Sequence, residues 1–191
     1  MKRKNESFIK KINNEIDDFK KKVIMPTCFK EDDESLTIII NLKEQEIFKP
    51  YSGESLLQDD IFEFIEEIFK FANAKSKIKY ELIFPENMEL ETQQKIKDLI
   101  KIHYALKFKE YHRKNHNNSI LSWSLLLFGS LIFIIYGILE WNHVNFLFQG
   151  IIEIFAWVFI WASCESFFFT KWENRHQMVK YLRLLTAEFI N

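Results

Sequence analysis

Two long apolar stretches interrupt the otherwise periodic mixture of apolar and polar positions along this chain. Residues 120–139 carry no charge, and thirteen of them are Leu, Ile or Phe. As a helix rising about 1.5 Å per residue, such a run covers roughly 30 Å, the thickness of a bilayer core. Its aliphatic and phenyl side chains favour insertion by about 4 to 8 kcal/mol. Residues 151–169 are weaker, with ten Ile, Phe or Val but also Glu153 and Glu165. An acidic group at the centre of a span costs about 2.5 to 3.5 kcal/mol, and less toward either end. The pattern therefore predicts a two-helix transmembrane hairpin over 120–169, with spans 120–139 and 151–169. The second span enters as the returning half of the first.

Before the hairpin the period changes. Phe8, Ile12, Ile16, Phe19 and Val23 recur at helical spacing and predict an amphipathic helix over 6–24, closed by Pro26. The β-branched run 36–42 predicts a strand, and Pro50-Tyr51-Ser52-Gly53 a turn. Residues 59–73 predict a second helix with Ile61, Ile65, Ile68 and Ala72 inward. Residues 78–84 alternate as a strand that Pro85 stops. A strand–helix–strand order predicts a small parallel sheet, which a partner or second copy would extend. From Glu89 a rod runs toward the first span, with residues 115–119 as its possible break. Trp172, Val179, Leu182, Leu185 and Phe189 form a stripe along a C-terminal amphipathic helix.

The fold class expected is a mainly α membrane protein. Its parts are an α/β domain over 1–88 (two strands, helices on one face), a helical rod over 89–119, the hairpin, and a C-terminal helix over 170–191.

Charge adds orientation. Lys101, Lys107, Lys109, Arg113 and Lys114 precede the first span, and Lys171, Arg175, Lys180 and Arg183 follow the second, while residues 140–150 hold no basic residue. The positive-inside rule places both termini in the cytoplasm. Trp141, Trp172, Lys114 and Lys171 are the expected membrane-interface anchors. Lys10, Lys11, Lys20, Lys21 and Lys22 are candidate contacts to anionic headgroups, or to the acidic helix that begins at Asp59. Small residues at Ser122, Gly129, Ser130 and Gly137, and at Ala156, Ala162, Ser163 and Ser166, suggest where the spans touch.

Candidate chemistry is sparse. Glu165 stands inside the apolar run and is the leading intramembrane polar site. It either serves ion passage or oligomer contact, or snorkels or bonds Ser122 or Trp123. His112 and His116 share a helical face without an identifiable third ligand. Residues 1–119 contain one glycine, Gly53, which disfavours a phosphate-cradling loop, and their charge sums to zero, which disfavours nucleic acid. Cys28 and Cys164 stand far apart and read as reduced thiols. No catalytic set, metal or cofactor is expected. The start, Met1-Lys2-Arg3-Lys4, lacks an apolar signal region, so the N-terminus is expected to stay where it was made.

Three stretches carry a resemblance: Ile47-Phe48-Lys49-Pro50-Tyr51-Ser52 with Phe64-Ile65 beyond it, the second strand leading into the rod, and Ala156-Trp157-Val158-Phe159-Ile160-Trp161 with Glu165, Phe167-Phe168-Phe169 and the tail 180–188. They resemble uncharacterised prokaryotic proteins with a small cytosolic domain before a C-terminal two-span hairpin. Similar proteins often have glycine where Ala156 stands and a charge where Ala162 stands. The resemblance implies a multi-pass protein of the inner membrane and names no activity for it. The expected partners are the lipid bilayer, an unknown cytosolic protein and a second copy of the chain. The expected role is a membrane-anchored partner-binding or sensing module, with a channel-like assembly using Glu165 as the alternative.

Overall fold

The computed structural model describes residues 28–32, 34–43, 46–50, 52, 55–142 and 145–190. The helix expected over 6–24, and with it Lys10, Lys11, Lys20, Lys21 and Lys22, lies outside these residues. The described chain is mainly helical, with a small sheet and two long apolar helices. It divides into two compact units, Met1–Tyr104 with Arg183–Asn191, and Ala105–Leu182.

The first unit is built on a four-stranded sheet ordered β1 (Phe29–Glu31), β2 (Ser35–Asn41), β3 (Lys77–Ile83), β4 (Glu188–Ile190). The β2–β3 pair is parallel, with Leu36 opposite Ile78 and Ile38 opposite Tyr80. Helix α1 (Asp59–Phe69) makes the crossover between them. Two strands were expected, and two more are present. β1 is antiparallel to β2, and β4 is parallel to β3 with Tyr80 opposite Phe189. Each added strand has three residues, too few for alternation to register against a charged or helical surround. The sheet is thus extended by its own chain.

The face formed by Leu36, Ile38, Ile40, Ile78 and Tyr80 is buried. Both parallel connections, β2 to β3 and β3 to β4, advance in one direction along the sheet. α1 buries Ile61, Phe62, Ile65 and Ile68, and the first turns of α2 (Leu90–Trp141) bury Ile96, Ile100 and Tyr104. The Phe62 ring stacks on His103 at 3.6 Å between centroids and meets Tyr104 edge-on at 6.0 Å. Tyr80 donates its hydroxyl to the Leu184 carbonyl at 3.0 Å, and burial pushes the phenol well above its ordinary pKa. Arg183 donates to the Asn73 and Ser76 carbonyls at 2.8 and 2.6 Å and lies over the Phe69 ring. Burial lowers its pKa, but a guanidinium stays charged. Arg183, counted from sequence among the residues that set orientation, is therefore spent on tying the loop before β3 to the returning chain.

The second unit holds the rest of α2, then α3 (Phe146–Glu165), a π-helical turn (Ser166–Thr170) and α4 (Lys171–Leu185). α2 runs unbroken through 115–119. No proline or glycine occurs between residues 90 and 128, and Lys114 pairs with Glu110 one turn back at 2.7 Å. Asn145 caps α3 by accepting from the Leu147 amide at 3.0 Å, so the helix starts before the apolar run expected at 151. α2 and α3 are antiparallel, as the ring pairs Trp123–Phe167, Phe128–Phe159 and Phe133–Trp157 require. At the loop end Gln149 donates to the Leu139 carbonyl at 3.3 Å. Leu90–Trp141 and the continuous segment Phe146–Leu185 are both long and apolar enough to cross a membrane.

The C-terminal helix differs from expectation. It ends at Leu185, and Phe189 belongs to β4, its ring 5.2 Å from Tyr80. Trp172, Val179 and Leu182 of the expected inward stripe are exposed, whereas Tyr181, Leu184 and Ala187 are buried. Tyr181 packs on Tyr111 of α2 at 5.4 Å. A π turn adds a residue to the helical count, and each residue is about 100° of phase, so a stripe projected as plain α-helix points elsewhere.

Candidate functional site

Four polar side chains meet between α2 and α3. Asn118 and Ser122 stand one turn apart on α2, and Ser163 and Ser166 likewise at the end of α3. Ser163 donates to the Ser122 carbonyl at 2.8 Å, and Ser166 to the Asn118 side-chain oxygen at 2.7 Å. The Ser122 hydroxyl lies 2.7 Å from the Asn118 carbonyl and 2.9 Å from Ser166 Oγ. The Asn118 amide donates to the Ser166 carbonyl at 2.8 Å, and that same carbonyl accepts from the Lys171 amide. This i→i+5 bond defines the π turn, and the second donor from Asn118 holds it in place. Ser122 and Ser163 are 1% and 4% exposed and Asn118 and Ser166 are half-buried, so the two innermost hydroxyls are satisfied within the protein. Such bonds contribute about 0.5 to 1.5 kcal/mol each.

The cluster is built for joining helices. An activated serine needs an adjacent base, and here its partners are carbonyls, another hydroxyl and an amide. Asn118 was legible from sequence only as a weak point of the rod. Its spacing to Ser122, facing Ser163 and Ser166, is the signal that finds it. Glu165 stands apart. It is exposed on the last turn of α3, and Ser122 pairs with Ser166 in its place.

Gly129 and Ala156 are buried at the same interface. A Cβ on Gly129 would lie 2.9 Å from Ile160 Cγ1 and 3.1 Å from the Ile160 backbone nitrogen. Gly137 meets nothing within 4 Å, and Ser130 turns outward and bonds its own Leu126 carbonyl. Half of the small-residue stripe on α2 is therefore at the contact and half is not. Gly129→Leu is expected to destabilise the helix pair by about 1 to 3 kcal/mol through overpacking, and Gly137→Leu to leave it unchanged. Thermal melting of both variants in detergent checks this. Equal melting of the two would refute the contact.

The remaining candidates are surface groups. Trp141 is 86% exposed at the end of α2, and Trp172 is 74% exposed on the first turn of α4. Lys114 is bound to Glu110, whose carboxyl is held below its ordinary pKa chiefly by the hydrogen bond from Lys114. Lys171 Nζ lies 4.5 Å from the centroid of the Phe167 ring. His112 and His116 are exposed, and no third ligating side chain joins them among the described residues.

In the first unit a hollow of about 640 Å³ opens at the carboxyl end of β2. Asn41, Gln58, Glu46 and Asp60 supply its polar rim, and Ile39, Ile61 and Phe64 are among its apolar residues. Two carboxylates and two amides beside an apolar floor suit a basic or amide-bearing ligand better than an anion. No family model matches this chain, and no curated protein or solved structure matches it.

Proposed function

We propose that the chain is an integral membrane protein whose α2–α3 hairpin crosses the inner membrane and holds the α/β unit at its cytoplasmic face, where that unit binds a protein partner without catalysis. The observation that carries the reading is the outward face of the two apolar helices. Leu127, Ile134 and Trp161 are 71%, 62% and 70% exposed, and their neighbours Leu131, Ile154 and Trp157 are more than half exposed. A surface of this kind is unfavourable in water and favourable in lipid. The basic residues Lys107, Lys109, Arg113, Lys171, Arg175 and Lys180 flank the hairpin on its open end, and the connecting loop has none.

The partner reading rests on the hollow at the end of β2. Its carboxylates complement a basic peptide segment, and a polar rim around an apolar floor is the usual anatomy of such a contact. Cross-linking in intact membranes followed by affinity purification is expected to recover a stoichiometric protein with the wild-type chain and to lose it with Asp60→Lys. Recovery of no such protein, or release of the wild-type chain from membranes by alkaline carbonate, rejects the proposal.

A further inference from the structure

At the cytoplasmic end of the hairpin, beside the serine cluster that joins α2 to α3, the two helices carry an almost wholly apolar groove of about 230 Å³ between their outer side chains. Trp123 and Leu126 form one wall, and Cys164, Phe167 and Phe168 the other. Ser122 and Ser163 line it from the serine cluster, and their hydroxyls are already committed to hydrogen bonds there, so neither calls for water. The groove coincides with the π turn, a feature frequent at functional sites. Lys171 follows directly on that turn and lies beside Phe167, and among the described residues it pairs with no carboxylate. Arg175 is exposed one helical turn further along α4.

We propose that this groove binds one anionic phospholipid of the inner leaflet, with an acyl chain between Trp123 and Phe168 and the phosphate on Lys171. The inference rests on the membrane-spanning reading given above. A dry slot beside an ammonium that pairs with no carboxylate among the described residues matches an amphiphile with a hydrocarbon tail and a negative head. Neither half alone distinguishes the lipid. A zwitterionic lipid fills the slot but gains little from Lys171, and free phosphate has nothing to place in the slot.

The test uses the full chain purified in mild detergent and examined by native mass spectrometry with added phosphatidylglycerol or phosphatidylethanolamine. One phosphatidylglycerol per chain is expected to be retained in preference to phosphatidylethanolamine, and excess inorganic phosphate is expected not to displace it. Lys171→Gln is expected to lower its retention roughly fivefold, the worth of one basic residue at a membrane surface. Cys164→Trp fills the slot and is expected to lower retention of either lipid, with circular dichroism checking that it remains helical. Lys180→Gln, elsewhere on α4, is the control and is expected to change nothing. Equal retention of the two lipids, or phosphatidylglycerol retention unaltered by Lys171→Gln, overturns the proposal. A chain that resists carbonate extraction yet retains no lipid selectively loses only this site. A chain that carbonate releases loses the membrane reading itself.

Discussion

Leu131→Arg is expected to move a large share of the chain out of the carbonate-resistant membrane fraction. Leu131 is 51% exposed near the middle of the uncharged run of α2. In lipid the exchange removes a favourable side chain and adds a guanidinium, a swing of about 3 to 4 kcal/mol on the insertion scale. That is comparable to a good part of what the thirteen Leu, Ile and Phe residues of the run supply. In the proposed hairpin the weaker second span enters with the first, so both are expected to be affected together. In water the same exchange would be nearly neutral or would improve solubility. Fractionation of the two proteins side by side separates these cases. An unchanged distribution would mean that Leu131 does not face lipid.

Ile38→Ala is expected to destabilise the α/β unit by about 2 to 5 kcal/mol. Ile38 is fully buried at the centre of the sheet, with Phe29 opposite it on β1 and Tyr80 opposite it on β3. Truncation leaves a void beneath α1 that residues from three strands cannot close together. Hydrogen exchange checks this directly. Amides of β2 and β3 should lose protection by about thirtyfold or more, since 1.4 kcal/mol corresponds to a factor of ten. Amides of 125–139, which belong to the other compact unit, should keep theirs. Uniform loss across both units would show instead that the chain unfolds as one cooperative body.

Legibility followed element length. The seven-residue strands β2 and β3 and the eleven-residue α1 show their periods plainly, so the parallel pair and its crossover were readable. β1 and β4 are set by pairing with a neighbour that already exists, and a three-residue segment carries no period of its own. Phe189 illustrates the failure. Its spacing fits a helical stripe, yet it pairs with Tyr80 because β3 offers an unpaired edge and an aromatic face. At the candidate site, Ser122 was visible as a polar residue in an apolar run. Ser166 was among the small residues expected where the spans touch, but its pairing with Ser122 and with Asn118 became identifiable only once the helices were apposed. Arg183 was counted as one more positive charge, and its hydrogen bonds to Asn73 and Ser76 bridge more than a hundred positions of sequence.

What the chain's own letters determine is where apolar surface must leave water. The composition of 120–139 and 151–169, the alternation in β2 and β3 and the inward stripe of α1 follow from transfer free energy and backbone period, which are local. What only the tertiary structure decides is which of these surfaces meet and through which atoms. The fourth strand, the direction of the α4 face, the serine and asparagine junction and the groove beside Lys171 depend on residues distant in sequence arriving at one place. Short-range pattern holds no record of that arrival, because hydrogen bonds and close packing select partners by geometry after the elements have formed.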